Sequence, residues 1–253
     1  MGIYILIFLL IIIAAIYSLG RAERLSLGPP SCLEPEYTII DSGIVGPVIG
    51  LIGSVHGNEP AGAYTLSRMV ANGELKPSKG KLIVITKANP CGLLENMREN
   101  PHSLLDINRQ FDENGGMDIT SQRIISILKP CDLILDFHEG WGWHLETKSS
   151  WNPVQQVSVG STISPGDDTF WKELAPRIVD RVNVGISEPL KKFSIIWDAS
   201  CKIPSSLNCY AAVNNRPYLL IETSGQNDIQ PIDVRETQNK IIIQTVLEYF
   251  GMK

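Results

Sequence analysis

What most constrains this chain is an alternation: short, unbroken apolar runs recur along it, and amphipathic stretches separate them. The runs cover residues 47–55, 82–86, 132–137, 193–197 and 218–222, and they are rich in Ile, Leu and Val. Runs apolar at successive positions suit strands whose two faces are both covered. Between them lie helix candidates at residues 60–70, 119–128, 168–182 and 234–250. Pro60 suits a helix start, because its missing N–H has no intrahelical partner there anyway. The pattern predicts an α/β domain with a largely parallel sheet between helices. Residues 139–166 break the rhythm: they hold Trp141, Trp143 and Trp151 and show no period. They read as a long loop, and a loop of that length inside a domain is commonly functional.

Residues 2–20 carry no charged side chain, and residues 4–17 are almost wholly apolar. At about 1.5 Å per residue, such a helix nearly crosses a hydrocarbon layer of about 30 Å. It has no polar face, unlike a helix lying on a domain surface. Residues 1–20 are therefore expected to be a hydrophobic N-terminal helix serving as a transmembrane anchor, with membrane contact through residues 3–17 and a single-pass membrane location. The alternative is a signal peptide cut near Ser18 to Gly20, followed by secretion. Gly28, Pro29, Pro30 and Pro35 make residues 21–36 a linker, leaving residues 37–253 as one domain.

Composition narrows the function. The 253 residues are 43% hydrophobic and 19% charged, enough apolar material for a substantial core. The net charge of -5 argues against a nucleic-acid partner, which calls for a basic excess. The five cysteines include no Cys-x-x-Cys pair, so a cysteine zinc knuckle is excluded. Cys201 and Cys209 either close a small loop in an oxidising compartment or stay reduced. There is no Gly-x-Ser-x-Gly elbow for a serine nucleophile.

In open α/β sheets ligands sit beyond the carboxyl ends of the strands. There the first run delivers His56-Gly-Asn-Glu59, and the third delivers Asp136-Phe-His138. Two imidazoles and a carboxylate suit zinc, so His56, Glu59 and His138 form a candidate three-ligand site for one ion with an open fourth position. Asp136 lies on the same strand face as His138 and can fix its tautomer. The last run ends at Glu222, a carboxylate placed to serve as general base beside a metal-activated water. Asp106-Ile-Asn108-Arg109 and Arg98 add amide and guanidinium donors, which suit a carboxylate or a developing oxyanion.

In this order, His56-Gly-Asn-Glu59, Asp106-Ile-Asn-Arg109-x-Phe111, Asp136-Phe-His138 and Ile221-Glu222 resemble the zinc carboxypeptidase superfamily. The form His-Gly-Asn-Glu-Pro-Ala-Gly looks most like the succinylglutamate desuccinylase/aspartoacylase branch. The run Asn89-Pro-x-Gly92, Arg98-x-Asn100 and Asp106-Ile-Asn-Arg109 also resembles the metallocarboxypeptidase branch. The resemblance implies a three-layer α/β/α fold with a mixed, mostly parallel central sheet and one zinc held by His56, Glu59 and His138. By the same resemblance Glu222 would activate water, Arg98 would stabilise the oxyanion, and Asn108 and Arg109 would clamp a substrate carboxylate.

Two departures bear on substrate. Glu139-Gly-Trp-Gly-Trp143 is not the usual continuation after the histidine in either branch. After Gly225 only a short link and one helix are expected, without the C-terminal β domain of the desuccinylases, which implies a wider pocket. The resulting expectation is a zinc hydrolase that cleaves an amide bond of a small molecule or peptide bearing a free carboxylate. An N-acyl amino acid deacylase leads, and a metallocarboxypeptidase is the alternative. A catalytically silent carboxylate-binding module is the reading from another class.

Overall fold

Residue parity along the apolar runs builds two hydrophobic cores, one on each face of a single sheet. In β2 (Val48–Gly53), Ile49 and Leu51 face one core and Ile52 the other. In β3 (Lys81–Lys87), Leu82 and Val84 oppose Ile83 and Ile85 in the same way. In β4 (Leu133–Gly140), Leu133, Leu135 and Phe137 join the first core and Ile134 the second. In β7 (Tyr218–Ser224), Leu219 and Ile221 face the first core and Tyr218 the second. Asp136, His138 and Glu222 share the parity of Ile134 and Tyr218, so all three belong to the second face.

This computed structural model describes residues 34–112, 116–197, 201 and 203–253. Leu33–Lys253 make up one compact unit. The sheet has seven strands in the order β1-β3-β2-β4-β7-β5-β6, where β1 is Glu36–Asp41, β5 Thr162–Pro165 and β6 Ser194–Ile195. Strands β3, β2, β4 and β7 run parallel. β1 is antiparallel to β3, and β5 is antiparallel to β7.

Helices α1 (Ala61–Ala71), α5 (Trp171–Val182) and α7 (Ile232–Tyr249) cover the first face through Leu66, Trp171, Ile178, Ile243 and Val246. The second face is covered by α3 (Ile119–Leu128) and α6 (Leu207–Val213), through Ile124, Leu128, Leu207 and Tyr210. Side-chain caps mark several starts. Asp118 accepts from Thr120 N and Ser121 N ahead of α3, and Ser206 accepts from Cys209 N ahead of α6. Asn89 accepts from Gly92 N and, with Pro90, opens α2 (Pro90–Glu95).

The three-layer α/β/α architecture with a mixed, mostly parallel sheet is thus as expected. The N-terminal helix named with it falls on residues 1–20, outside the described residues. The membrane reading is corrected. Among the described residues no helix is long and apolar enough to cross a membrane. The longest, α7, carries Asp233, Arg235, Glu236, Lys240 and Glu248, charges that a hydrocarbon layer would not accept. The single-pass location and the membrane partner fall with that reading, and the anchor segment 3–17 lies outside the described residues.

The stretch 139–166 is more ordered than its sequence suggests. It holds the end of β4, the helix α4 (His144–Ser149) and β5. α4 buries no residue, and β5 reads Thr-Ile-Ser-Pro, so neither produces an apolar signature. Cys201 and Cys209 are joined in a disulfide that ties the preceding loop to α6.

Candidate metal centre

The site is assembled at the carboxyl edge of the parallel strands, from strand ends and the turns that follow them. After β2, Ser54 adopts a φ of 60° in the turn that leads to His56. The left-handed region costs a non-glycine residue about 1–2 kcal/mol, strain that folds tolerate mainly at functional turns. Gly57 presses on α2, and a side chain there would collide with the Gly92 carbonyl. Glu59 stands just before α1, and its N–H bonds back to the His56 carbonyl at 3.2 Å. His138 and Glu222 are register partners on the adjacent parallel strands β4 and β7. Neighbouring strands lie about 4.8 Å apart, so both side chains leave the same face side by side.

His56, Glu59 and His138 converge as one cluster able to hold a metal ion. They are 4%, 2% and 3% exposed, so bulk water cannot satisfy them. His56 Nδ1 lies 2.9 Å from Glu59 Oε1, His138 Nδ1 lies 2.8 Å from Glu59 Oε2, and the two Nδ1 atoms are 3.1 Å apart. Each imidazole is held from behind by a carboxylate. His56 Nε2 meets Asp106 Oδ1 at 3.1 Å, and His138 Nε2 meets Asp136 Oδ2 at 3.1 Å. Those carboxylates keep the ring protons on Nε2 and leave the Nδ1 lone pairs turned inward.

Three acceptors aimed at one point repel each other unless a cation lies among them. Ligands at about 2.0–2.1 Å in a tetrahedral site are separated by about 3.3 Å, close to the separations seen here. The donor set therefore fits a zinc-sized dication.

The electrostatics agree. Burial opposes charge on Glu59, but His56 and His138 outweigh it and hold the carboxyl far below its ordinary range. Asp106 is likewise held far below: burial opposes ionisation, and His56, Arg98 and Arg109 override it. Burial would lower the His138 pKa, yet Asp136 and Glu59 raise it well above the ordinary value. The negative field that draws a proton to this ring is the field a dication requires. Tyr218 donates its hydroxyl to Asp136 Oδ2 at 2.6 Å, extending the support of His138 into the core. Burial, with the Asp136 charge added, raises the Tyr218 pKa well above normal, so it stays a donor. Burial pushes the Glu222 carboxyl up to about 8, with His138 pulling it down and the Glu59 charge adding to the rise.

Arg98 lies against the cluster. It reaches Asp106 Oδ2 through Nε at 3.2 Å and Nη2 at 3.1 Å, and Glu59 Oε1 through Nη1 at 3.3 Å. Asn108 and Arg109 sit on a short 3-10 turn, Ile107–Arg109, that Asp106 caps by accepting from Asn108 N. The Asn108 amide oxygen already accepts from Leu207 N at 2.9 Å. Arg109 is 40% exposed; among the described residues it bonds the Asn108 carbonyl at 2.7 Å and stands 3.9 Å from Asp106. The fold thus gathers His56, Glu59, His138, Arg98 and Glu222 at one edge, with Asn108 and Arg109 on the turn beside Asp106.

Sequence reasoning gave no individual role to Asp106, Tyr218, Glu139, Gln226 or Arg235, all of which touch this cluster or its immediate supports. Asp106 was visible inside a motif. Gln226 and Arg235 lie beyond every motif, and only the fold brings them in.

Comparison with known proteins agrees with this geometry. Residues 45–143 match the family model described as the succinylglutamate desuccinylase/aspartoacylase catalytic domain. No curated protein matches the sequence. Among solved structures, the chain is similar to the cell shape determinant Csd4 of Helicobacter pylori, with a TM-score of 0.68 and 19% identity over 86% of this chain and 55% of that one. Another structure of that protein, bound to mDAP and described as a D,L-carboxypeptidase, gives 0.64 and 19% over 82% and 52% of the two chains. A succinylglutamate desuccinylase/aspartoacylase from Rhodobacter sphaeroides gives 0.59 and 18% over 85% and 58%. The chain thus spans less than two thirds of each of these neighbours. The resemblance drawn from the motifs is supported over that region: residues 45–143 match the catalytic-domain model of the succinylglutamate desuccinylase/aspartoacylase family, and the solved neighbours share the fold.

Proposed function

We propose that this chain is a zinc-dependent amide hydrolase acting on a carboxylate-bearing substrate, as an N-acyl amino acid deacylase. The observation that carries the reading is the convergence of His56 Nδ1, His138 Nδ1 and the Glu59 carboxylate, each imidazole backed by its own carboxylate. The matched family model over residues 45–143 supports the deacylase form.

Bound in this cradle, zinc supplies Lewis acidity, acidifying water and polarising the scissile carbonyl. The residues around it have separable tasks. Glu222, beside His138, takes the proton of the attacking water and returns it to the departing amine. Burial raises its pKa in the metal-free chain, which suits a group whose task is to take up a proton. Arg98 turns a guanidinium toward the same space and donates to the carbonyl oxygen as it gains negative charge. Asn108 and the fork of Arg109 hold the substrate carboxylate. Asp106 joins two of these tasks, because one carboxylate orients both His56 and Arg98.

A metallocarboxypeptidase is the second reading. It is favoured by the similarity to Csd4, described as a D,L-carboxypeptidase. The two separate on a panel of N-acyl amino acids against peptides with free C-termini, assayed with zinc and again after chelation. Chelator-sensitive release of a carboxylic acid from N-acyl amino acids is expected. Cleavage confined to peptides selects the carboxypeptidase, and zinc binding without turnover of either set leaves the silent binding module.

A further inference from the structure

Behind Glu59 lies a buried ion pair for which the reaction has no direct use. Arg235, in the first turn of α7, is 3% exposed, and its Nη1 bonds the Glu139 carboxylate, itself 2% exposed. The other oxygen of that carboxylate accepts from Ala61 N at 2.6 Å, at the start of α1. The Glu139 N–H donates to Glu59 Oε2 at 3.1 Å. Gln226, on the turn after β7, donates through Nε2 to Glu59 Oε1 at 3.0 Å and to the Glu139 carbonyl at 2.6 Å. Arg235 Nη1 also reaches the Gly225 carbonyl at 3.3 Å. A side chain at Gly225 would run into the Glu139 carboxylate and the Arg235 guanidinium, so the turn is fitted closely around the pair.

Four elements therefore meet behind one ligand: the end of β4 and the turn after β7 bond Glu59 directly, and the start of α1 and the first turn of α7 bond Glu139. A buried ion pair is weak as a source of stability, since a well-packed apolar pair often does as well or better. What this pair supplies instead is direction. It fixes the Glu139 backbone and the α1 terminus, and with Gln226 it places donors on both Glu59 oxygens.

We propose that Glu139, Arg235 and Gln226 are positioning residues that hold the Glu59 carboxylate in one orientation and so set how tightly the cradle retains its metal. The inference rests on the zinc reading above and adds three residues to it. Outer partners of metal ligands typically govern affinity by about 10–100-fold.

The test uses the full chain, a chelator competition for zinc, and the visible spectrum of the cobalt-substituted protein, which reports ligand geometry. Gln226→Leu removes one of the direct donors to Glu59. The double variant Glu139→Gln with Arg235→Met removes the ion pair without leaving a lone buried charge. Each is expected to weaken zinc binding about 10-fold or more and to shift the cobalt bands, while the melting temperature of the metal-free protein changes far less. Parental zinc affinity, within about twofold, together with a parental cobalt spectrum in both variants overturns the inference. Should the double variant fail to fold, Gln226→Leu decides alone. If the parental protein itself takes up no zinc, the zinc reading fails and this inference with it, a result distinct from a parental protein that binds and variants that match it.

Discussion

The metal cradle and the rim above it are built on opposite terms. In the cradle every ligand is at most 4% exposed, and each ring has a carboxylate behind it. On the rim, the Arg109 side chain is 40% exposed, and Trp141 stands 41% exposed immediately after β4. The contrast separates what the chain commits to from what it leaves to the substrate. A buried cluster of acceptors must be satisfied by a specific cation, whereas an exposed guanidinium binds whichever carboxylate reaches it. The proposed function thus assigns chemistry to the cradle and selectivity to rim groups that water can also satisfy.

Substitutions can break this division, beginning where the effect should be largest. Glu222→Gln keeps the shape and removes the base. It is expected to lower kcat by about 10³-fold while zinc content, read by elemental analysis, stays at the parental level. Parental turnover in this variant would remove Glu222 from the reaction. Next, Arg98→Ala should lower kcat by about 10²-fold with a small change in KM, the pattern of a donor that acts mainly in the transition state. A rise in KM alone would move Arg98 to substrate binding. On the rim, Arg109→Ala should raise KM about 10-fold with kcat nearly unchanged, since a hydrogen bond to a charged group contributes about 1.5–3 kcal/mol. A kcat effect as large as that of Arg98 would erase the proposed boundary between cradle and rim.

The smallest effect concerns stability. The folded-state pKa of Glu222 is raised to about 8, above its unfolded value, so the folded chain holds this proton more tightly. The metal-free protein should then lose stability as pH rises from about 4.5 to 8 through this group, and the penalty is complete above that window. Glu222→Gln lacks it. The variant should melt with the parent near pH 5 and a few degrees above it near pH 8.5, both measured in chelator. Parallel melting curves across that range would show that burial does not burden this carboxylate.

The same division governs how much could be read before the fold was known. The strands β2, β3, β4 and β7 and the helices α1, α3, α5 and α7 announce themselves because they bury continuous apolar runs or stripes. β1 alternates exposed and half-buried positions at the sheet edge, and β5 is four residues of Thr-Ile-Ser-Pro, so neither carries such a signal. α2, α4 and α6 are six or seven residues long, too short for a clear helical period. In the site, the candidate ligands and Glu222 are legible because strand ends confine them to short motifs. Asp106 escaped a role because its partners, His56 and Arg98, are joined only by the fold. Gln226 and Arg235 escaped altogether: a glutamine in a turn and an arginine at a helix start look like solvated surface until Glu139 and Glu59 are placed beside them. The apolar N-terminal run misled in the other direction, since hydropathy led to a membrane reading that the described helices do not support.

The most direct measurement is a calorimetric titration of zinc into the metal-free full chain, repeated with His138→Ala. The account predicts one ion per chain for the parent and at least about 100-fold weaker binding for the variant, since a ligand itself is lost rather than an outer partner. No uptake by the parent, or uptake that His138→Ala leaves intact, would contradict it.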